Sequence, residues 1–256
     1  MYPELFKIGP LTVHTYGVLV ATGFLLGLGL AVRQAKREGI PPNKIVDLGF
    51  YILLSALIGS RLFYVMINAG YYLKNPLDIF KVWEGGLVFY GGLVLTVPTV
   101  LWYVKKNALS VWSTADLFAP SLAIGHAVGR IGCFYAGCCY GKPAEGLPWA
   151  VTFTDPQTLA LVGIPLHPTQ IYESLGEFTI FLVLITLRRH RSFNGRLFVT
   201  YVMLYSVLRF IVEFFRGDIA RGFITHQLSF SQGVSVLMFL TAVAVFIVLR
   251  RGKPRP

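Results

Sequence analysis

Charge is what this sequence has least of. Charged residues fill 14% of its 256 positions, where a soluble domain carries about 25%, and that shortage excludes an ordinary water-soluble globular domain. Acids are the scarcer kind: 12 Asp and Glu stand against 23 Lys and Arg, for a net charge of +11. Cysteine is rare and local, with three residues all between 133 and 139, so a disulfide would close only a small loop. Linkers, low-complexity segments and internal repeats are missing too, which makes one membrane domain over 1–256 the economical organisation. Lys7 is the only basic residue before the first apolar stretch, and no small-residue cleavage site follows it. A cleavable signal peptide is therefore not expected, and the first span is retained.

Long apolar runs are what is present. Hydrophobic residues make up 55% of the chain and the mean hydropathy is +0.63. A bilayer core of about 30 Å needs about 20 apolar residues per helix. Segments of that kind lie near 16–32, 46–67, 87–104, 114–128, 171–187, 196–215 and 233–249. The expected fold is an all-α polytopic membrane protein of about seven transmembrane helices. The fourth segment is short and holds Asp116, Pro120 and His126, so it reads as a tilted or partly re-entrant element lining a cavity.

The basic excess follows the spans. Fourteen Lys and Arg fall on one side: Arg33, Lys36, Arg37 and Lys44 after the first span, Lys105 and Lys106 after the third, Arg188, Arg189, Arg191 and Arg196 after the fifth, and Arg250, Arg251, Lys253 and Arg255 after the seventh. Seven lie on the other. The positive-inside rule then puts the N-terminus outside and the C-terminus in the cytoplasm. The charge is topology, with an attraction to anionic lipid head groups, and nucleic acid is not an expected partner. The largest segment between spans, about 129–170, falls outside and begins with "GRIGCFYAGCCYG" (129–141).

Ionisable residues at membrane depth cost several kcal/mol unless paired or hydrated, and few occur here. Arg61 sits in "LIGSRLFYV", and "LYSVLRFIVEFFRGD" places Arg209 and Glu213 in the sixth span. Their i, i+4 spacing puts both on one helical face. Such a pair either neutralises itself or presents a planar fork of donors suited to phosphate, with the carboxylate orienting it. Arg130, between Gly129 and Gly132, adds a second guanidinium where absent side chains let a polar ligand approach the backbone. "HPTQIYES" reads as a helix start, with Pro168 at the first helical position. Cys133, Cys138 and Cys139 are spaced C-x4-C-C, which matches no usual zinc pattern. No metal or cofactor is expected, and packing as small hydrophobes is the bland account of the thiols.

Taken in order, "VHTYG" (13–17), "GSRLFYV" (59–65), "WEGGLVFYGGL" (83–93), "GRIGCFYAGCCYG" (129–141), "HPTQIYES" (167–174), "RFIVEFFR" (209–216) and "LSFSQ" (228–232) resemble the bacterial prolipoprotein diacylglyceryl transferases, almost end to end. The resemblance implies a multi-pass enzyme of the bacterial inner membrane. It would move the diacylglyceryl group of phosphatidylglycerol to the lipobox cysteine of a prolipoprotein signal peptide, forming a thioether and releasing glycerol 1-phosphate. Such a site must neutralise a leaving phosphate and favour loss of the thiol proton.

The catalytic candidates are Arg130 and Arg209 on the phosphate, Glu213 positioning Arg209, and Tyr90. The substrate-binding candidates are Arg130, Arg209, Tyr16, Arg61, Gly129, Gly132, Gly141, His167 and Gln170. Two departures from the family pattern matter. Tyr90-Gly91-Gly92 stands where the family often has His-Gly-Gly; an imidazole accepts a thiol proton near neutral pH, whereas a phenol holds its own. Deprotonation then falls to water or to a carboxylate such as Glu213. Cys133 and Cys138 stand where the family commonly has Asn and Glu, so those amide and carboxylate roles do not carry over. Readings from other classes are a membrane thiol-disulfide oxidoreductase, although no C-x-x-C pair is present, and a non-catalytic lipid-binding or transport protein.

Overall fold

A computed structural model describes residues 3–9, 11–189, 192–218, 222 and 228–251. Arg191, Lys253 and Arg255 of the basic flanks lie outside the described residues. All seven apolar segments fold as long helices: α1 (Thr15–Arg37), α2 (Pro42–Ile67), α4 (Phe89–Lys106), α5 (Val111–Ala136), α6 (Thr169–Arg188), α7 (Arg196–Glu213) and α8 (Phe230–Arg251). A one-turn α3 (Ala69–Tyr72) and two short 3-10 turns, Pro76–Phe80 and Val82–Glu84, join α2 to α4. An antiparallel hairpin of β1 (Glu4–Ile8) and β2 (Leu11–His14) precedes α1, and a two-residue ladder of β3 (Val151–Thr152) and β4 (Pro165–Leu166) lies between α5 and α6.

Helices α1, α2, α5, α6 and α8 are long and apolar enough to cross a membrane. Each of the other two has 18 residues, about 27 Å of helix. Both are more polar: α4 ends in Lys105 and Lys106, and α7 carries Arg196, Arg209 and Glu213. Large apolar side chains such as Leu25, Phe50, Met66, Leu175, Leu237 and Val248 point outward, as they do where lipid is the solvent.

The chain forms two compact units, 1–30 with 115–256, and 31–114. In the smaller unit α2 packs on α4. Their contact is made by small residues: a Cβ on Gly59 would collide with the Gly91 carbonyl, and one on Gly91 with that of Gly59. Close approach through glycine is the usual way membrane helices pack. Ser55 Oγ lies 3.1 Å from Thr96 Oγ1 across the same seam.

In the larger unit, Gly23 and Gly27 of α1 meet the carbonyls of Gly125 and Ser121 of α5 in the same manner. Ala119, Ala123, Ile180, Leu184 and Leu197 form the core where α5, α6 and α7 meet. Asp116, fully buried, accepts the backbone N–H of Gly195 at Oδ2 (2.8 Å) and of Phe198 at Oδ1 (2.9 Å). It serves from another helix the role an N-cap serves locally, because the first N–H groups of α7 have no intrahelical partner. Asp116→Ala leaves those donors buried and unpaired, and we expect a loss of about 1–3 kcal/mol. Unfolding midpoints in detergent measure it; a shift within error, with Asp116→Asn equal to Asp116→Ala, would remove the capping account.

Two local expectations are corrected. The fourth segment, read as a short element over 114–128, is a continuous helix of 26 residues to Ala136, so Arg130 and its glycines ride on α5 and the connecting loop begins at 137. Glycine is tolerated in membrane helices where it packs, and the stop comes at Gly137, whose φ of 75° is the left-handed conformation that ends helices. Pro168 is the N-cap of α6, with helix from Thr169, and not its first helical residue.

Candidate active site

Four pairs of residues at i, i+4 spacing build the polar centre of the larger unit. On α5, His126 and Arg130 share a face; Arg130 Nε donates to His126 Nε2 at 3.1 Å. That bond fixes the imidazole tautomer, since Nε2 must carry a lone pair and Nδ1 the proton. Nδ1 in turn lies 2.7 Å from Glu177 Oε1. On α6, Glu173 and Glu177 share a face; Glu173 Oε1 accepts from Arg130 Nη2 at 2.7 Å. Both carboxylates are buried, as is most of Arg130, whose side chain is 13% exposed. A chain therefore runs Glu177, His126, Arg130, Glu173 between two helices that are also tied by Ser174 Oγ donating to Ala127 O at 2.8 Å.

On α7, Arg209 Nη2 lies 2.8 Å from Glu213 Oε2 and donates to Ser231 Oγ of α8 at 3.3 Å. The fourth pair, Tyr201 and Tyr205 of α7, stacks at 6.0 Å between ring centroids. Tyr205 also packs on His126, centroids 5.5 Å apart, and its hydroxyl is within electrostatic reach of Glu173, Arg130, Arg209 and Glu177. Tyr205 thus brings the α5–α6 chain and the α7 pair into one neighbourhood.

Each guanidinium keeps a donor in hand. Arg209 Nη1 is buried without a hydrogen-bond partner among the described residues. Arg130 uses Nε and Nη2 as above, which leaves its Nη1 donors over among the described residues. Two cations, each held by its own carboxylate and each with a spare nitrogen, suit an anion with several oxygens.

The turn after α5 is tied to the start of α6 and the end of α7. Gly141 N donates to His167 O (3.1 Å), His167 N to Lys142 O (3.0 Å), Lys142 N to Phe215 O (2.8 Å) and Gly217 N to Tyr140 O (3.0 Å). A Cβ on Gly141 would collide with the His167 backbone, so glycine there permits this interleaving. His167 Nδ1 lies 3.2 Å from Tyr172 Oη, which accepts from Trp149 Nε1 at 2.8 Å. Gln170 Nε2 donates to Cys138 O at 2.8 Å and Thr169 Oγ1 to Cys139 O at 2.7 Å. Gln170 Oε1 is buried with no partner among the described residues. Arg216 makes a two-point ion pair with Asp218. Burial pulls its pKa down, but the Asp218 hydrogen bonds together with the charges of Cys139, Asp218 and Glu173 raise it on balance.

The remaining sequence candidates fall as follows. Tyr16 opens the first turn of α1, and its backbone crosses Gly132 so closely that a Cβ there would sit 3.3 Å from Tyr16 O. Gly129 faces open space. Arg61 and Tyr90 belong to the smaller unit. Arg61 is committed to backbone: Nε donates to Ile79 O, Nη1 to Gly85 O and Gly86 O, and Nη2 to Asp78 O, at 2.6–3.2 Å. Its guanidinium also lies against the rings of Tyr64 and Tyr72, so it clamps the 78–86 segment. Tyr90, in the first turn of α4, is exposed. His126, Glu173, Glu177, Tyr205 and Ser231 were not among the site residues expected. The signal for three of them was in the sequence, since "HAVGR" and "ESLGE" repeat the i, i+4 spacing of Arg209 and Glu213.

Long apolar helices enclosing paired arginines and carboxylates define a multi-pass membrane protein with a buried polar centre. A family model described as prolipoprotein diacylglyceryl transferase matches residues 3–248. Proteins named phosphatidylglycerol–prolipoprotein diacylglyceryl transferase match over nearly their whole length: from Bacillus licheniformis at 37% identity over 99% of this chain and 94% of that one, from Clostridium tetani at 37% over 99% and 100%, and from Bacillus velezensis at 34% over 98% and 93%. The chain belongs to the prolipoprotein diacylglyceryl transferase family.

Proposed function

We propose that the protein transfers the diacylglyceryl group of phosphatidylglycerol to the lipobox cysteine thiol of a prolipoprotein in the bacterial inner membrane, with its N-terminus outside, its C-terminus cytoplasmic and seven spans. The observation that carries this is the pair Arg130 and Arg209, each oriented by a buried carboxylate and each with a spare nitrogen. The thiol loses its proton, sulfur forms a bond to the glyceryl carbon, and the carbon–oxygen bond to phosphate breaks, releasing glycerol 1-phosphate. Arg130 and Arg209 neutralise the leaving phosphate in a site of low dielectric, where such contacts are strongest.

Glu213 takes the thiol proton. Its place 2.8 Å from Arg209 couples the two events: a protonated Glu213 no longer holds the guanidinium charge, which then turns fully to the phosphate. Gln170 Oε1 accepts a hydroxyl of the glycerol head group, and Tyr16 bounds the lipid head group on the α1 side. Gly129 leaves room for it; Gly132 and Gly141 permit close backbone packing, and His167 holds the turn wall. Tyr90 acts by position, and Arg61 by holding the 78–86 segment.

Purified protein incubated with phosphatidylglycerol and a lipobox-cysteine peptide is expected to yield a thioether-linked diacylglyceryl peptide and glycerol 1-phosphate in equal amounts. Release of glycerol 1-phosphate without a lipidated peptide, or no product at all, would overturn the assignment.

A further inference from the structure

The Sγ atoms of Cys133, Cys138 and Cys139 all lie within 4.8 Å of one another, and none is in a disulfide. Sequence spacing hid this, because C-x4-C-C is bridged by a turn. Cys133 sits in the last turn of α5; Gly137, at φ 75°, reverses the chain, and Cys138 Sγ comes to 3.7 Å from Cys133 O. Cys139 has φ 59°, a left-handed conformation that residues other than glycine, Asn and Asp seldom adopt. Both carbonyls of this turn are held from α6, by Gln170 and Thr169. The turn is thus held from α6 while the three thiols meet at it. Apolar packing needs no strained cysteine, and a disulfide would use only two of the three.

We infer that Cys133, Cys138 and Cys139 form a three-thiolate site for a soft monovalent metal ion of the Cu(I) class. With metal–sulfur bonds of about 2.3 Å, three sulfurs around an ion stand about 4 Å apart, which the cluster reaches with small side-chain rotations. Among the described residues no histidine or carboxylate joins the three sulfurs. Structural zinc takes four ligands, whereas soft thiolates without nitrogen or oxygen partners select Cu(I).

Binding breaks three S–H bonds, forms three S–Cu bonds and releases three protons, taking the cluster from neutral to a net charge of −2. The site is a staple between the end of α5 and the turn that α6 holds.

The test uses the full chain in detergent, reduced with a phosphine, stripped of metal and titrated anaerobically with Cu(I) against bicinchoninate. The expected result is one tightly bound Cu(I) per chain, with three sulfur neighbours in X-ray absorption and three protons released per ion. Cys138→Ser should weaken binding by more than about 100-fold, beyond what loss of an outer partner does, and leave two sulfurs. Cys139→Gly keeps the left-handed turn without strain, so it folds, and it should lose affinity equally. Wild-type affinity equal to that of the folded Cys139→Gly variant overturns the site. A disulfide in the unreduced protein that survives metal loading does so as well, and Zn(II) held more tightly than Cu(I) overturns the choice of ion.

Discussion

Arg209→Lys is expected to lower kcat for diacylglyceryl transfer by about 100- to 1,000-fold, the range seen when one donor to a developing oxyanion is lost, with a much smaller change in KM. The reason is geometric. Arg209 divides its planar fork: Nη2 faces Glu213 and Ser231, while Nη1 is buried and uncommitted. A lysine ammonium is one compact point, and it cannot keep the Glu213 contact and reach a phosphate oxygen at the same time. The loss should fall on kcat because phosphate charge grows as the carbon–oxygen bond breaks. In the proposed reaction, binding of the lipid's existing phosphodiester is shared with Arg130. Steady-state kinetics on the lipobox peptide, with the lipid at fixed surface fraction, separate the two constants. A Lys variant within about 5-fold of wild type in kcat would remove Arg209 from the leaving-group role, since a spare donor stabilising a transition state contributes more than that.

Such a prediction could be framed from the sequence because a charge in an apolar run announces itself. Arg209, Glu213 and Arg61 stand out for that reason, and the seven long helices for the related reason that runs of about 20 apolar residues have few other uses. What the sequence did not show is how charges pair between helices. The bond from Arg130 to Glu173 joins residues 43 apart, and no periodicity reports which faces of α5 and α6 will meet.

The composition of 129–136 misled in a different way. Glycine and a basic residue read as loop in water, but in lipid an unsatisfied backbone is so unfavourable that the helix runs on until Gly137 turns it. Arg61 shows the converse limit. Its burial was legible, yet four carbonyls of the 78–86 segment take its donors, and a carbonyl ligand leaves no mark in a sequence. The thiols were visible as residues and not as a cluster, since what gathers them is the turn at Gly137 and two side chains of α6 some 30 residues away.

The Arg130–Glu173 pair carries the other large expectation, on stability. The Glu173 side chain is 1% exposed and that of Arg130 13%, so each ion depends on the other for the hydration it has lost. Glu173→Ala removes one charge and leaves the guanidinium buried beside His126, whose Nε2 is its only other acceptor among the described residues. The expected loss is about 3–5 kcal/mol, typical for breaking a buried pair from one side. Arg130→Met should cost a similar amount, because it strands Glu173 next to Glu177 on the same face of α6. The double variant Arg130→Met with Glu173→Leu is expected to recover most of that stability while remaining inactive in transfer, since no unpaired charge is left. Unfolding in detergent gives the stabilities, and the coupling follows from the double-mutant cycle. Additive single effects, with no recovery in the double variant, would show that the two residues are not a charge pair. Recovery of stability without activity would separate what holds the helices together from what the phosphate needs.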